Sequence, residues 1–180
     1  GHRFLGWYTT DENNLMQPGD VFNVTDSVTI NAKWIAVYTY EYNDGIPADE
    51  DPNYQAPTVD DGYVLTLKAA PVRDGYVFKG WSVDEQTYQP GASYTITANV
   101  VFVAVWNPIY SYEYVGGYGS GELEKDKTLK IADAPEAEGC SFGGWYDGVN
   151  VWQPGDAYTI TADVEFTAVW NVTVTYVSKY

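Results

Sequence analysis

The chain has 180 residues, 45% of them apolar and 17% aromatic, and carries nine Lys and Arg against 25 Asp and Glu for a formal charge of −16. That balance speaks against binding nucleic acid or anionic membranes, because phosphate contacts need clustered cations and the nine here are scattered. A single cysteine, Cys140, excludes an internal disulfide framework and a Cys-based zinc site, and no signal peptide, transmembrane run or lipid anchor is visible.

The first 34 residues run from "GHRFLGWY" through "MQPG" to a closing stretch in which Val28, Ile30, Ala32 and Trp34 share one face. Alternate side chains share a face in a strand, so this stretch is predicted to be a half-buried strand. "VYTYEY" at 37–42 follows, with Tyr38, Tyr40 and Tyr42 on one side. Residues 43–62 read as a solvated acidic loop, within which Asp49, Glu50 and Asp51 are candidate calcium ligands. Their spacing matches no EF-hand or nonapeptide motif. The chain continues through "LTLKAAP", "GYVFKGW" at 75–81, "YQPG" at 88–91 and a strand over 94–106. There Val101, Val103 and Val105 make the outer face apolar, so something should cover it. The same series then recurs: "IYSYEY" at 109–114, a Gly-rich turn at 116–122, "LKIADAP", "GCSFGGWY", "WQPG" at 152–155, a strand over 158–170, and "VTVTYV" at 172–177. Period-2 patterning with no run of helical period predicts a mostly β protein.

A repeat is therefore present. The Gln of each Gln-Pro-Gly stands 17 residues before a closing Trp: Gln17 to Trp34, Gln89 to Trp106, Gln153 to Trp170. Pro fixes φ near −65° and Gly tolerates positive φ, so Pro18-Gly19, Pro90-Gly91 and Pro154-Gly155 are predicted to be type II turns that set the register of the next strand. The residue in front varies among Met16, Tyr88 and Trp152. Trp34, Trp106 and Trp170 end apolar faces and are expected to anchor the core. The rows of Tyr are expected in the core as well, because the third copy puts Val172, Val174 and Tyr176 in their place. Cys140 replaces a Tyr of the pattern and reads as a small core residue.

Catalysis needs positioned partners, and the one His, His2, lies near the chain start without any. No phosphate-cradling loop precedes a helix. No catalytic residue and no cofactor is assigned. Asn23-Val-Thr and Asn171-Val-Thr are sequons.

The spaced Phe, Gly-Trp and closing Trp, with "GYVFKGW" matching most closely, resemble the Listeria–Bacteroides repeat, also called the internalin B-repeat. In that frame the chain holds the second half of one repeat (1–34), two whole repeats (35–106 and 107–170) and the first strand of another (171–180). The resemblance implies tandem small β-grasp, ubiquitin-like units in an extracellular bacterial surface protein. The function expected is a non-catalytic structural or adhesive module of the cell wall exterior, serving as spacer or as an interaction surface for a host or bacterial protein. The alternative is a carbohydrate-binding module, for which Trp152, the one Trp outside the shared pattern, is the candidate ligand-binding residue. No membrane insertion is expected in this stretch. An open strand edge in 1–34 is expected to be covered, by the adjacent repeat or head-to-tail by 171–180 of a neighbouring molecule.

Overall fold

The computed structural model describes residues 1–45, 55–174 and 176–178. They form fourteen strands: β1 (His2–Tyr8), β2 (Asn31–Asn43), β3 (Thr58–Asp60), β4 (Tyr63–Thr66), β5 (Tyr76–Val83), β6 (Gln86–Tyr88), β7 (Ser93–Ile96), β8 (Val100–Tyr114), β9 (Gly119–Glu124), β10 (Thr128–Lys130), β11 (Cys140–Tyr146), β12 (Val151–Trp152), β13 (Ala157–Thr159) and β14 (Val164–Val172). No helix occurs among the described residues, as the Val, Thr, Tyr and Trp of the alternating runs require.

The strands divide between two compact units. The first comprises residues 1–71 with 79–105. In it β1 lies antiparallel to the start of β2, and the end of β2 runs parallel to the start of β8, with Tyr40 opposite Val100 and Tyr42 opposite Phe102. β4 pairs with β7, and β5 turns back into β6. Leu65, Leu67, Trp81, Ile96 and Phe102 are buried. The Tyr42 ring stacks on Phe102 at 5.0 Å and meets Trp81 edge-on at 4.7 Å.

The second unit comprises residues 72–78 with 106–180. It repeats this arrangement: β14 runs parallel to the end of β8, with Tyr114 opposite Phe166, and β10 pairs with β13. Its core is Tyr114, Leu129, Ile131, Trp145 and Phe166. Tyr114 stacks on Phe166 at 4.9 Å and meets Trp145 edge-on at 4.7 Å. In both units, then, one Tyr of the first strand is clamped between the Trp of Gly-Trp and the Phe of the closing strand.

Four expectations are corrected. The closing Trp residues are not the core anchors. Trp34 is 56% exposed, and Trp106 and Trp170 are half-buried. They do hold equivalent places, each edge-on to the Phe of its own copy at 5.2, 5.3 and 5.6 Å. The Trp residues fully buried are Trp81 and Trp145, because their side of the sheet is the one that the Tyr strand and the Leu strand cover. Val101 and Val103 are exposed rather than covered. The stretch 43–62 is not wholly loop: β3 pairs with β2, in the register in which β9 pairs with β8. Finally, the closing strand of the first copy begins at Asn31 and not at Val28, whereas its counterparts begin at Val100 and Val164.

Candidate functional site

The motif that recurs three times is a joint with an internal logic. The backbone N–H of the residue after Gly donates to the Gln carbonyl in every copy: Asp20 to Gln17 at 3.1 Å, Ala92 to Gln89 at 3.1 Å, Asp156 to Gln153 at 3.0 Å. Gly19, Gly91 and Gly155 have φ of 99°, 79° and 88°. Pro followed by a positive-φ Gly, closed by this bond, is the type II turn expected. The Asp20 and Asp156 carboxylates also accept the Gln17 and Gln153 amides at 2.6 and 2.7 Å.

Sequence reasoning missed what the Gln side chain does. The Phe-x-Gly-Trp strand bulges between Phe4 and Gly6 and between Phe142 and Gly144. A bulge leaves a residue outside the ladder, and its carbonyl needs another donor. The Gln side-chain amide supplies it: Gln17 Nε2 to the Leu5 carbonyl at 2.9 Å and Gln153 Nε2 to Gly143 at 3.0 Å. In the middle copy Gln89 Nε2 donates to Lys79 at 2.8 Å. The next residue must be Gly. Gly6, Gly80 and Gly144 have φ of 150°, 146° and 133°. A Cβ on them would lie 2.9, 2.7 and 2.9 Å from the carbonyls of Met16, Tyr88 and Trp152. Gly-Trp and Gln-Pro-Gly are therefore two halves of one joint. The spacing from Gly-Trp to Gln-Pro-Gly is the same in the second and third copies and two residues longer in the first, so the recurrence of both motifs in one order was the available signal.

The buried polar tips are satisfied inside each repeat. Lys68 N–H donates to the Tyr42 hydroxyl at 3.2 Å, and the Trp81 indole N–H donates to the Lys68 carbonyl at 3.1 Å. Ala132 serves Tyr114 and Trp145 in the same way, at 2.9 and 3.1 Å. Burial pushes the Tyr42 and Tyr114 phenols up, more than the backbone hydrogen bond pulls them down. These rings are thus structural, and the core expectation for this Tyr position holds.

An open groove of about 840 Å³ in the second unit is lined by Ser111, Glu113, Glu122, Tyr146, Asp163 and Glu165 among others. Asp163 Oδ1 accepts the Ser111 amide at 2.8 Å and its hydroxyl at 3.1 Å. The groove is acidic and suits hydrogen-bonding rather than anionic ligands. Asp147 also lines it and accepts the amides of Val149 and Asn150 and the Trp152 indole N–H, at 2.8, 2.7 and 2.8 Å. Burial alone would raise the Asp147 carboxyl, but these bonds outweigh it and hold it below the ordinary carboxylate range. Trp152 is half-buried and edge-on to Tyr158 at 5.2 Å. Its indole N–H and one edge of its ring are thus engaged within the fold.

Asp49, Glu50 and Asp51 lie outside the described residues. Among the described residues no three His, Cys, Asp or Glu side chains group as metal ligands, and no helix is long and apolar enough to cross a membrane. His2 is exposed on β1, and Cys140 is half-buried on β11. Arg3 pairs with Asp60 of β3, and the bond lowers the Asp60 carboxyl and raises the guanidinium.

The family model of the Listeria–Bacteroides repeat domain matches residues 38–105 and 110–169. Two curated relatives come from Evansella cellulosilytica. One, provisionally named a Gly-rich membrane protein, is 31% identical over 99% of this chain and 22% of its own length. Another, provisionally named a membrane protein, is 29% identical over 96% of this chain and 27% of its own length. The chain thus spans about a quarter of the relatives it matches. No solved structure matches.

Proposed function

The chain belongs to the Listeria–Bacteroides repeat domain family, and from that premise we propose that it is a non-catalytic repeat module of a bacterial cell-surface protein. It acts as a spacer that also presents a protein-interaction surface. The observation that carries this reading is the recurrence of the same joint and the same Tyr–Trp clamp in both complete repeats. The aromatic side chains and the motif residues are used inside each repeat to hold it together. Units built this way can be strung in tandem, so that length and a repeated surface are the product. The parallel pairing of a repeat's first strand with its closing strand is the central pairing of a β-grasp, and each repeat is read here as a β-grasp built from strands. The names of the relatives support a membrane-associated setting; that the repeats face outward is part of the proposal.

The test is twofold. Antibodies raised against the 180-residue chain should label intact cells of a host that carries the gene, and label should disappear after protease shaving. Label seen only after lysis overturns the surface reading. The purified chain should bind no sugar on a glycan array. A hit that Trp152→Ala removes would favour the carbohydrate-binding alternative.

A further inference from the structure

Consecutive repeats share strands. β2 is unbroken from Asn31 to Asn43, and β8 from Val100 to Tyr114. Trp34 and Trp106 each close a repeat inside these strands, and the row of Tyr that opens the next repeat follows in the same strand. Tension along a tandem array therefore passes straight from a closing strand into the following first strand. It enters a complete repeat at the N-terminal end of its first strand and leaves at the C-terminal end of its closing strand.

Those two strands are neighbours and run parallel: Tyr40–Asn43 beside Val100–Val103, and Tyr112–Tyr114 beside Val164–Phe166. In a parallel pair the two loaded ends lie at opposite ends of the ladder. Tension slides one strand along the other, so the evenly spaced, slanted bonds of the ladder are strained together. An antiparallel pair would set both loaded ends side by side, and its bonds would open in turn. Two further features oppose sliding in both repeats. A side chain adds a rung at the start of the ladder: the Thr39 N–H donates to Asn99 Oδ1 at 2.9 Å, and the Ser111 N–H to Asp163 Oδ1 at 2.8 Å. Near its end, Tyr42 and Tyr114 are each held between a Trp and a Phe, with the hydroxyl accepting the Lys68 or Ala132 amide. Sliding must drag that ring from its slot.

We propose that each complete repeat is built to bear tension along the array, the parallel pair of first and closing strands serving as a clamp that is loaded in shear. This rests on the reading of the chain as a surface spacer and adds what the spacer does: it holds its length under pull. Resistance of this kind is set by the barrier to unfolding and not by equilibrium stability.

Single-molecule stretching of the full chain tests this, with both pulling directions applied to one protein, Ala98→Cys in a Cys140→Ser background. Ala98 is exposed and lies just before the closing strand of the first complete repeat. Handles at residues 1 and 180 should give two high-force events, each releasing roughly 200 Å of chain, the longer belonging to the repeat with the acidic insert. Handles at residue 1 and position 98 load the N-terminal ends of both paired strands, and the first complete repeat should then open at a severalfold lower force. Asn99→Ala should lower the end-to-end force of the first complete repeat and spare the second, and Asp163→Ala should do the reverse. Equal forces in the two directions overturn the proposal, as does an Asn99→Ala chain that resists like the parent. Either result leaves the labelling of intact cells, which tests the spacer reading, unaffected.

Discussion

Gly80→Ala tests the joint most directly. Gly80 sits at φ 146°, a region that L side chains rarely adopt, and an added Cβ would lie 2.7 Å from the Tyr88 carbonyl. That carbonyl cannot retreat freely, because Tyr88 pairs with Trp81 in the β5–β6 hairpin. Backbone strain costs about 1–3 kcal/mol, and forcing extra volume into a packed site costs about 1–3 kcal/mol more. The sum, about 2–6 kcal/mol, is a large part of the stability of a small domain. For a unit of this size each kcal/mol moves the midpoint by about 4–8 °C, so thermal unfolding followed by tryptophan fluorescence should drop by about 10 °C or more. The control is Gly91→Ala. Gly91 has φ 79° with nothing within 4 Å of its added Cβ, so only the left-handed penalty of about 1–2 kcal/mol applies. Equal losses for the two variants would refute the claim that Gly-Trp and Gln-Pro-Gly are locked together by close approach.

Trp145→Ala should destabilise by about 3–5 kcal/mol because it empties a fully buried site, whereas Trp170→Ala, at a half-buried margin, should cost clearly less; urea midpoints that reverse this order would contradict the assignment of the core. Asp147 has a folded pKa held below its ordinary value of 3.8, so the stability it lends is present above that value and is lost as pH falls through the folded one. Replacing it with Asn should therefore flatten the acid side of the stability profile, and an unchanged profile in Asp147→Asn would dismiss its bond to Trp152 as unimportant. Shortening the acidic insert by eight residues within 44–57, while keeping β3, should leave the melting temperature nearly unchanged, since closure entropy varies slowly with loop length. Stabilisation of the parent by calcium, lost in the shortened chain, would restore the metal reading of Asp49, Glu50 and Asp51.

What the sequence determined by itself was local. Alternation at 37–42, 94–106, 109–114 and 158–170 marks strands because the pleat has a period of two, and that holds whatever lies above the sheet. Pro-Gly determines a type II turn because the dihedral limits of those two residues are intrinsic. The tertiary structure decided burial and partnership. Trp7, Trp81 and Trp145 share one motif and one backbone bridge, yet only the last two are buried, because a side chain's exposure depends on the segment laid over it. Trp34, Trp106 and Trp170 end apolar runs, which mark a face but not its cover. β3 escaped notice inside an acidic stretch because its pairing with β2 rests on main-chain hydrogen bonds, to which side-chain polarity is no guide. The Gln of the joint was legible as a repeated letter and not as a donor. Its acceptor is a carbonyl released by a bulge ten or more residues earlier in the chain, and only the folded sheet brings the two within reach.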